Sequence, residues 1–228
     1  MKFIERENGI IEVMKKLAGF NIIVVGGYAV SARAMHRFSV DCDIVIRKDD
    51  LEKIAGVLAG EGFERTVTRE GFDNEYGGEF VRYAKKIDGL PVSIDLLVSS
   101  LVCRTTGASW GFDYMLGNSD RVIIAGVESS IECTVPSREL LLAFKIHSAR
   151  KTDLRDIVML RDADWNAVKN HLNRGDMAVL KRQIESMISV LDDKDLIDSL
   201  KGEFQLKGDA GKMMRDTKRK LADLLDGI

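Results

Sequence analysis

The sequence predicts an α+β chain: a small, twisted mixed sheet with helices over residues 1–135, followed by an all-helical domain over residues 136–228. Three observations carry this. Short runs rich in Ile, Val and Leu, each the length of a strand, alternate with amphipathic helical segments up to residue 135. From Pro136 onward every apolar pattern has helical spacing. The 228 residues, 45% of them apolar, suffice for one large domain or two small ones.

The elements follow in order. Residues 2–19 place Ile4, Ile10, Ile11, Val13, Met14 and Leu17 at mixed three- and four-residue spacing, an amphipathic helix with Gly19 as its stop. Residues 21–25 are a continuous apolar run, hence a buried strand, and Gly26 and Gly27 turn the chain into a helix from Tyr28 to about His36. A strand over 40–46 follows, then Asp49 and Asp50 as caps of a helix from Leu51 to Ala59 that stops at Gly60. Residues 63–68 alternate as a strand, 69–78 read as a polar loop, and strands over 79–87 and 91–98 flank the hairpin turn Asp88-Gly89. Gly107, Gly111 and Gly117 break any pattern over 99–120, and a hairpin over 121–126 and 130–135 closes the first half. In the second half Ser137 caps a helix from Arg138 to about Arg150, and Asp153 caps one to about Arg161. Helices over 165–172, 176–191, 193–203 and 210–226 complete it, separated at Gly175, Asp192-Asp193 and Gly208/Gly211.

Composition narrows the class of protein. No apolar run reaches the roughly 18–20 residues of a membrane span, and the charged start Met1-Lys2-Phe3-Ile4-Glu5-Arg6-Glu7 lacks a signal-peptide core. The three cysteines, Cys42, Cys103 and Cys133, are odd in number and have no metal-type spacing, so a reducing cytoplasm is expected. A net charge of −2 does not advertise a nucleic-acid binder.

Three carboxylates stand inside otherwise apolar strand patterns: Asp41, Asp43 and Asp95. Alternate residues of a strand share a face, so Asp41 and Asp43 point one way, about 7 Å apart, and Cys42 the other. Two like charges so placed call for a cation between them, and a hard divalent ion with oxygen ligands is the usual one. If the 91–98 strand lies beside the 40–46 strand, Asp95 completes a triad able to bind two Mg²⁺ ions, orient a triphosphate and activate an attacking hydroxyl. Gly26 and Gly27 let backbone approach phosphate, and the helix behind them aims its N–H groups at an anion. Arg37 and Ser39 flank the acidic strand as further donors, while Lys145, with Arg150 and Lys151 behind it, is placed to neutralise β- or γ-phosphate charge.

These residues resemble the nucleotidyltransferase superfamily of DNA polymerase β type, and more closely the AbiEii-type nucleotidyltransferases of bacterial and archaeal toxin–antitoxin loci. The matching pieces are Val25-Gly26-Gly27-Tyr28-Ala29-Val30, then Arg37, Ser39, Asp41 and Asp43, then Ile94-Asp95-Leu96, then Pro136 to Lys145 and Arg150 to Asp156, in family order. The resemblance implies a nucleotidyltransferase fold and Mg²⁺-dependent transfer of a nucleoside monophosphate from an NTP to an RNA (tRNA) or protein hydroxyl. It implies Asp41, Asp43 and Asp95 as metal and catalytic residues, and Gly26, Gly27 and Lys145 as triphosphate contacts with Arg37, Ser39 and Arg150 beside them. Asp153 or Asp156 takes a supporting acidic role, and an antitoxin protein becomes a partner. The alternative is a catalytically weak NTP- and metal-binding or protein-interaction module on the same scaffold. The spacing of Lys145, Arg150 and Asp153, and the shorter chain, depart from the toxin group.

Plainer roles suit the remaining polar residues. His36, His147 and His171 show no metal spacing and read as surface or packing histidines. Cys42, Trp110 and Trp165 read as core residues. Lys212, Arg215, Lys218, Arg219 and Lys220 read as a solvated helix face beside Asp216, Asp223 and Asp226.

Overall fold

The computed structural model describes residues 2–73, 75–204 and 208–228, and the side chains of Phe72 and Glu203 lie outside the described set. By its internal contacts the chain divides into two compact units: Met1–Ala32, His36–Val102 and Ser109–Ser137 in the first, Arg33–Met35, Cys103–Ala108 and Arg138–Ile228 in the second. No helix among the described residues is long and apolar enough to cross a membrane.

The first unit is built on a seven-stranded mixed sheet. Its strands in chain order are β1 (Ile23–Val25), β2 (Asp41–Ile46), β3 (Glu64–Asp73), β4 (Gly78–Ile87), β5 (Leu90–Val98), β8 (Ser119–Ala125) and β9 (Ser130–Pro136). Across the sheet they run β3-β4-β5-β2-β1-β9-β8. The β2–β5 and β1–β9 pairs are parallel and the others antiparallel. A separate two-stranded ribbon joins β6 (Ser100–Cys103) to β7 (Ala108–Gly111).

The sheet has a dry face and a wetter one. Cys42, Ile44 and Ile46 of β2, Val92, Ile94, Leu96 and Val98 of β5, and Val81 and Tyr83 of β4 alternate onto the dry side, all buried. Helix α1 (Lys2–Lys16) packs against β4, β5 and β9. Its Ile10, Ile11 and Met14 are fully buried, and the Met14 sulfur lies 3.8 Å from the Cys42 thiol. Each such side chain contributes about 1.5–3 kcal/mol by leaving water. The opposite face of β2, at Asp41 and Asp43, stays exposed or half-buried.

Helix α2 (Gly26–Arg33) starts at the first glycine rather than at Tyr28, and α3 (Leu51–Gly60) is preceded by a 3₁₀ turn, Lys48–Asp50. Asp50 makes no side-chain capping bond there. β3 reaches Asp73, through half of the expected loop, where Asp73 is buried as an acceptor for Ser100 and Ser109 and for the Glu75 amide; Asn74 lies outside the described residues. The unpatterned stretch after residue 98 contains β6, β7 and α4 (Phe112–Gly117).

The second unit is helical: α5 (Arg138–Ser148), α6 (Lys151–Met159), α7 (Trp165–Leu172), α8 (Met177–Val190), α9 (Lys194–Phe204) and α10 (Ala210–Asp226). α5 is its axis, buried from Leu140 through His147 and packed on α6, α7 and α8. Gly211 lies inside α10 rather than breaking it, the cap being Asp209.

Candidate active site

β1 and β2 run antiparallel with Val25 opposite Asp43, so the chain leaves β1 level with that carboxylate. The next residue, Gly26, has φ +65°, where only glycine is unstrained. A β-carbon there would overlap Oδ2 of Asp43 and stand 3.0 Å from its Cγ. At Gly27 it would stand 2.9 Å from Ser39 Oγ and 3.2 Å from Arg37 Nη2. Two glycines thus admit an acidic strand, a serine and an arginine to the N-terminal end of α2, where unpaired N–H groups and the helix dipole favour an anion.

The loop carrying Arg37 and Ser39 is clipped to α2. The Tyr28 hydroxyl donates to the Ser39 carbonyl at 3.1 Å. Ser31 Oγ donates to the Arg37 carbonyl and accepts from the Arg37 amide, at 3.2 and 3.1 Å. Ser39 Oγ donates to Asp41 Oδ1 at 2.8 Å. Sequence reasoning assigned neither Tyr28 nor Ser31 a role, although Tyr28 stands in the stretch that carries the resemblance; for Ser31 the signal was a hydroxyl one turn further along the helix behind the glycines.

Parallel pairing of β2 and β5 sets Asp43 directly opposite Asp95. Asp41, Asp43 and Asp95 therefore share a face, from exposed Asp41 through half-buried Asp43 to Asp95 at 3% exposure. On the far side of Asp95 stands Arg82 of β4, its antiparallel register partner. Arg82 Nε and Nη2 donate to Asp95 Oδ1 and Oδ2 at 2.7 and 2.6 Å, a two-toothed pair. Hydrogen bonding to Asp95, with the fields of Asp41 and Asp43 added, raises the Arg82 pKa against the opposing effect of burial. On the dry side, burial and the same three carboxylates hold the Cys42 thiol well above its ordinary pKa.

The donor set is all oxygen and suits a hard divalent ion. Asp41 and Asp43 offer carboxylates to it. Asp95, as it stands, turns both oxygens to Arg82, and among the described residues no three His, Cys, Asp or Glu side chains converge to hold a metal.

The other expected phosphate contacts lie in the second unit. Lys145 of α5 is 6% exposed, and its Nζ donates to Asp153 Oδ1 at 2.9 Å and pairs with Asp156 Oδ2 at 2.8 Å. Burial works against its charge, but Asp156 and Asp153 outweigh it and raise the pKa. Burial likewise opposes ionisation of Asp153, and Lys145 and Arg150 overcome it, bringing the group down to about 2. Asp153 is not the helix cap; Arg150 occupies that position, and Asp153 sits three residues on, with Oδ2 accepting from the Arg150 amide at 3.1 Å and from its Nε at 2.8 Å. His147, beside them on α5, is fully buried between Thr106 Oγ1 and the Leu172 carbonyl, at 2.8 and 3.1 Å.

No family model and no curated protein matches this sequence. Among solved structures the chain is similar to a candidate nucleotidyltransferase from H. pylori, with a TM-score of 0.51 and 14% identity over 99% of this chain and 95% of that one. It is also similar to JHP933 from Helicobacter pylori, with a TM-score of 0.51 and 15% identity over 97% and 91%. A lincomycin-bound lincosamide antibiotic adenylyltransferase, LnuA, matches 68% of this chain and 96% of its own at TM-score 0.45 and 18% identity. The chain shares the fold of the two H. pylori proteins over nearly its whole length.

Proposed function

We propose that this chain is a Mg²⁺-dependent nucleotidyltransferase, moving a nucleoside monophosphate from an NTP to a hydroxyl of RNA, such as tRNA, or of a protein. The observation that carries the reading is the register of β2 and β5, which sets Asp43 opposite Asp95 beside a glycine whose β-carbon would collide with Asp43. The shared fold supports it.

In this reading Gly26, Gly27 and the amides that open α2 take the triphosphate, with Arg37 and Ser39 as neighbouring donors. Asp41 and Asp43 hold Mg²⁺, Asp95 joins them, and the resemblance supports two ions. Bound Mg²⁺ supplies charge neutralisation on the phosphates and a more acidic acceptor hydroxyl. The acceptor oxygen bonds to the α-phosphorus as the bond to the β-phosphate oxygen breaks; pyrophosphate leaves, and the hydroxyl proton passes to Asp95. The resemblance also assigns Lys145, Arg150 and Asp153 to the nucleotide, and supports a place in a toxin–antitoxin pair.

The test is incubation with each α-³²P-labelled NTP, Mg²⁺ and either total tRNA or cell lysate. Label on RNA or protein is expected, and Asp41→Asn with Asp43→Asn should abolish it. A nucleotide- and metal-dependent rise in melting temperature without label on any acceptor would overturn transfer in favour of a binding module.

A further inference from the structure

Across three neighbouring strands the wetter face of the sheet reads Asp43, Asp95, Arg82, each the register partner of the next. A carboxylate next to a carboxylate is costly, and more so when the second is nearly dry. Arg82 is the local answer to that cost. Its fork satisfies both Asp95 oxygens, and the pair is asymmetric: the Asp95 side chain is 5% exposed and the Arg82 side chain 43%. A planar two-toothed pair also fixes the plane of the carboxylate, since each donor is aligned with its own oxygen.

Resting on the nucleotidyltransferase reading, we propose that Arg82 is a resident cation that competes with the divalent ion for Asp95. Before nucleotide arrives the ion is held by Asp41 and Asp43 alone. Asp95 joins the metal only when Arg82 releases it. Three acids and one guanidinium leave two negative charges in the cluster, the complement of a single divalent ion. The half-exposed guanidinium end can exchange its carboxylate for phosphate oxygens, since both anions accept two parallel N–H bonds from its fork. Arg82 is thus a positioning residue for Asp95, and it ties completion of the metal site to the presence of substrate.

Nucleotide-free Mn²⁺ binding, followed by the electron paramagnetic resonance signal of the free ion, tests this without turnover. Arg82→Gln should tighten Mn²⁺ about fivefold or more, because a competing positive charge is gone and Asp95 is released. Asp95→Asn placed on top of Arg82→Gln should remove that gain. Arg82→Lys, which keeps the charge and loses the fork, should fall between wild type and Arg82→Gln. It also stands in should Arg82→Gln fold poorly. An affinity unchanged or weaker in Arg82→Gln, or a gain that persists with Asp95→Asn, overturns the proposal. The underlying reading fails separately: Mn²⁺ binding that survives Asp41→Asn with Asp43→Asn would remove the metal assignment, and absence of label transfer by the wild-type protein would remove the transferase reading whatever Arg82→Gln does to Mn²⁺ affinity.

Discussion

Gly26 tolerates nothing larger than hydrogen, for two independent reasons: a left-handed backbone and the Asp43 carboxylate against its α-carbon. Gly26→Ala should cost about 1–2 kcal/mol for the backbone alone and push Asp43 aside. The NTP-dependent rise in melting temperature should then disappear while circular dichroism reports a folded protein. His147 gives a residue-scale signature in stability. Burial pushes its pKa down from 6.5 to about 4, so between those values the unfolded chain takes a proton that the folded chain refuses. Its effect is absent above pH 6.5, erodes stability as pH falls to 4, and amounts to roughly 3 kcal/mol in full. Urea unfolding at pH 7.5 and pH 5 should show the loss, and His147→Gln should flatten that slope. Asp153, held low, acts in a different window, adding stability above 3.8 that is lost as pH falls through about 2. At this scale Asp41 and Asp43 were legible because strand alternation is a local rule. Arg82 was not. A basic residue at an alternate position of a half-buried strand looks like any solvated cation until the register of β4 and β5 sets it opposite Asp95.

At the scale of elements, the junction of α5 and α6 rests on one buried ion cluster. Lys145 serves two carboxylates that are themselves at most 2% exposed. Lys145→Ala would take the buried cation from both, leaving Asp153 its bonds from Arg150, and breaking a buried pair by removing one partner costs about 3–5 kcal/mol. Urea unfolding at neutral pH should show a loss of that size, whatever happens to activity. The sequence pattern around Arg150 to Asp156 marked a helix start correctly but placed the cap one turn late. Asp is favoured both as the cap and in the first turn, and only the hydrogen bond from the Arg150 amide separates the two positions. Strands 79–87 and 91–98, the helix over 165–172 and the helix over 210–226 were readable because each has a clean period bounded by Gly, Asp or Pro. β6, β7 and α4 were not, because their lengths of four to six residues are too short for a period to register.

At the scale of the whole molecule, the partners of each strand are beyond any local pattern. Parallel pairing of β2 with β5 skips a helix and a hairpin, and β1 joins β9 across most of the first unit. The condition that Asp95 reach the acids on β2 was a conditional expectation in the sequence and becomes a register in the fold. The division into units is also more interleaved than a single boundary near residue 136 suggests. The second unit takes Arg33–Met35 and Cys103–Ala108 from the midst of the first. Arg138 donates to the Arg33 carbonyl at 2.6 Å, the Asp176 amide to the Thr106 carbonyl at 2.6 Å, and Thr106 Oγ1 bonds the His147 ring. Gly175, at φ +63°, could not carry a side chain without striking the backbone of Thr106 and Ala108.

Those borrowed segments bear on how such a protein can be inherited. A gene cut after Ser137 would not yield two exchangeable cassettes: the downstream piece would lack the hexapeptide that roofs His147 and receives Gly175, and the upstream piece would keep it with nothing to cover. Fusion and shuffling are therefore barred at the one place where the pattern of the chain most invites them, and the helices must travel with this sheet or be rebuilt around a new one.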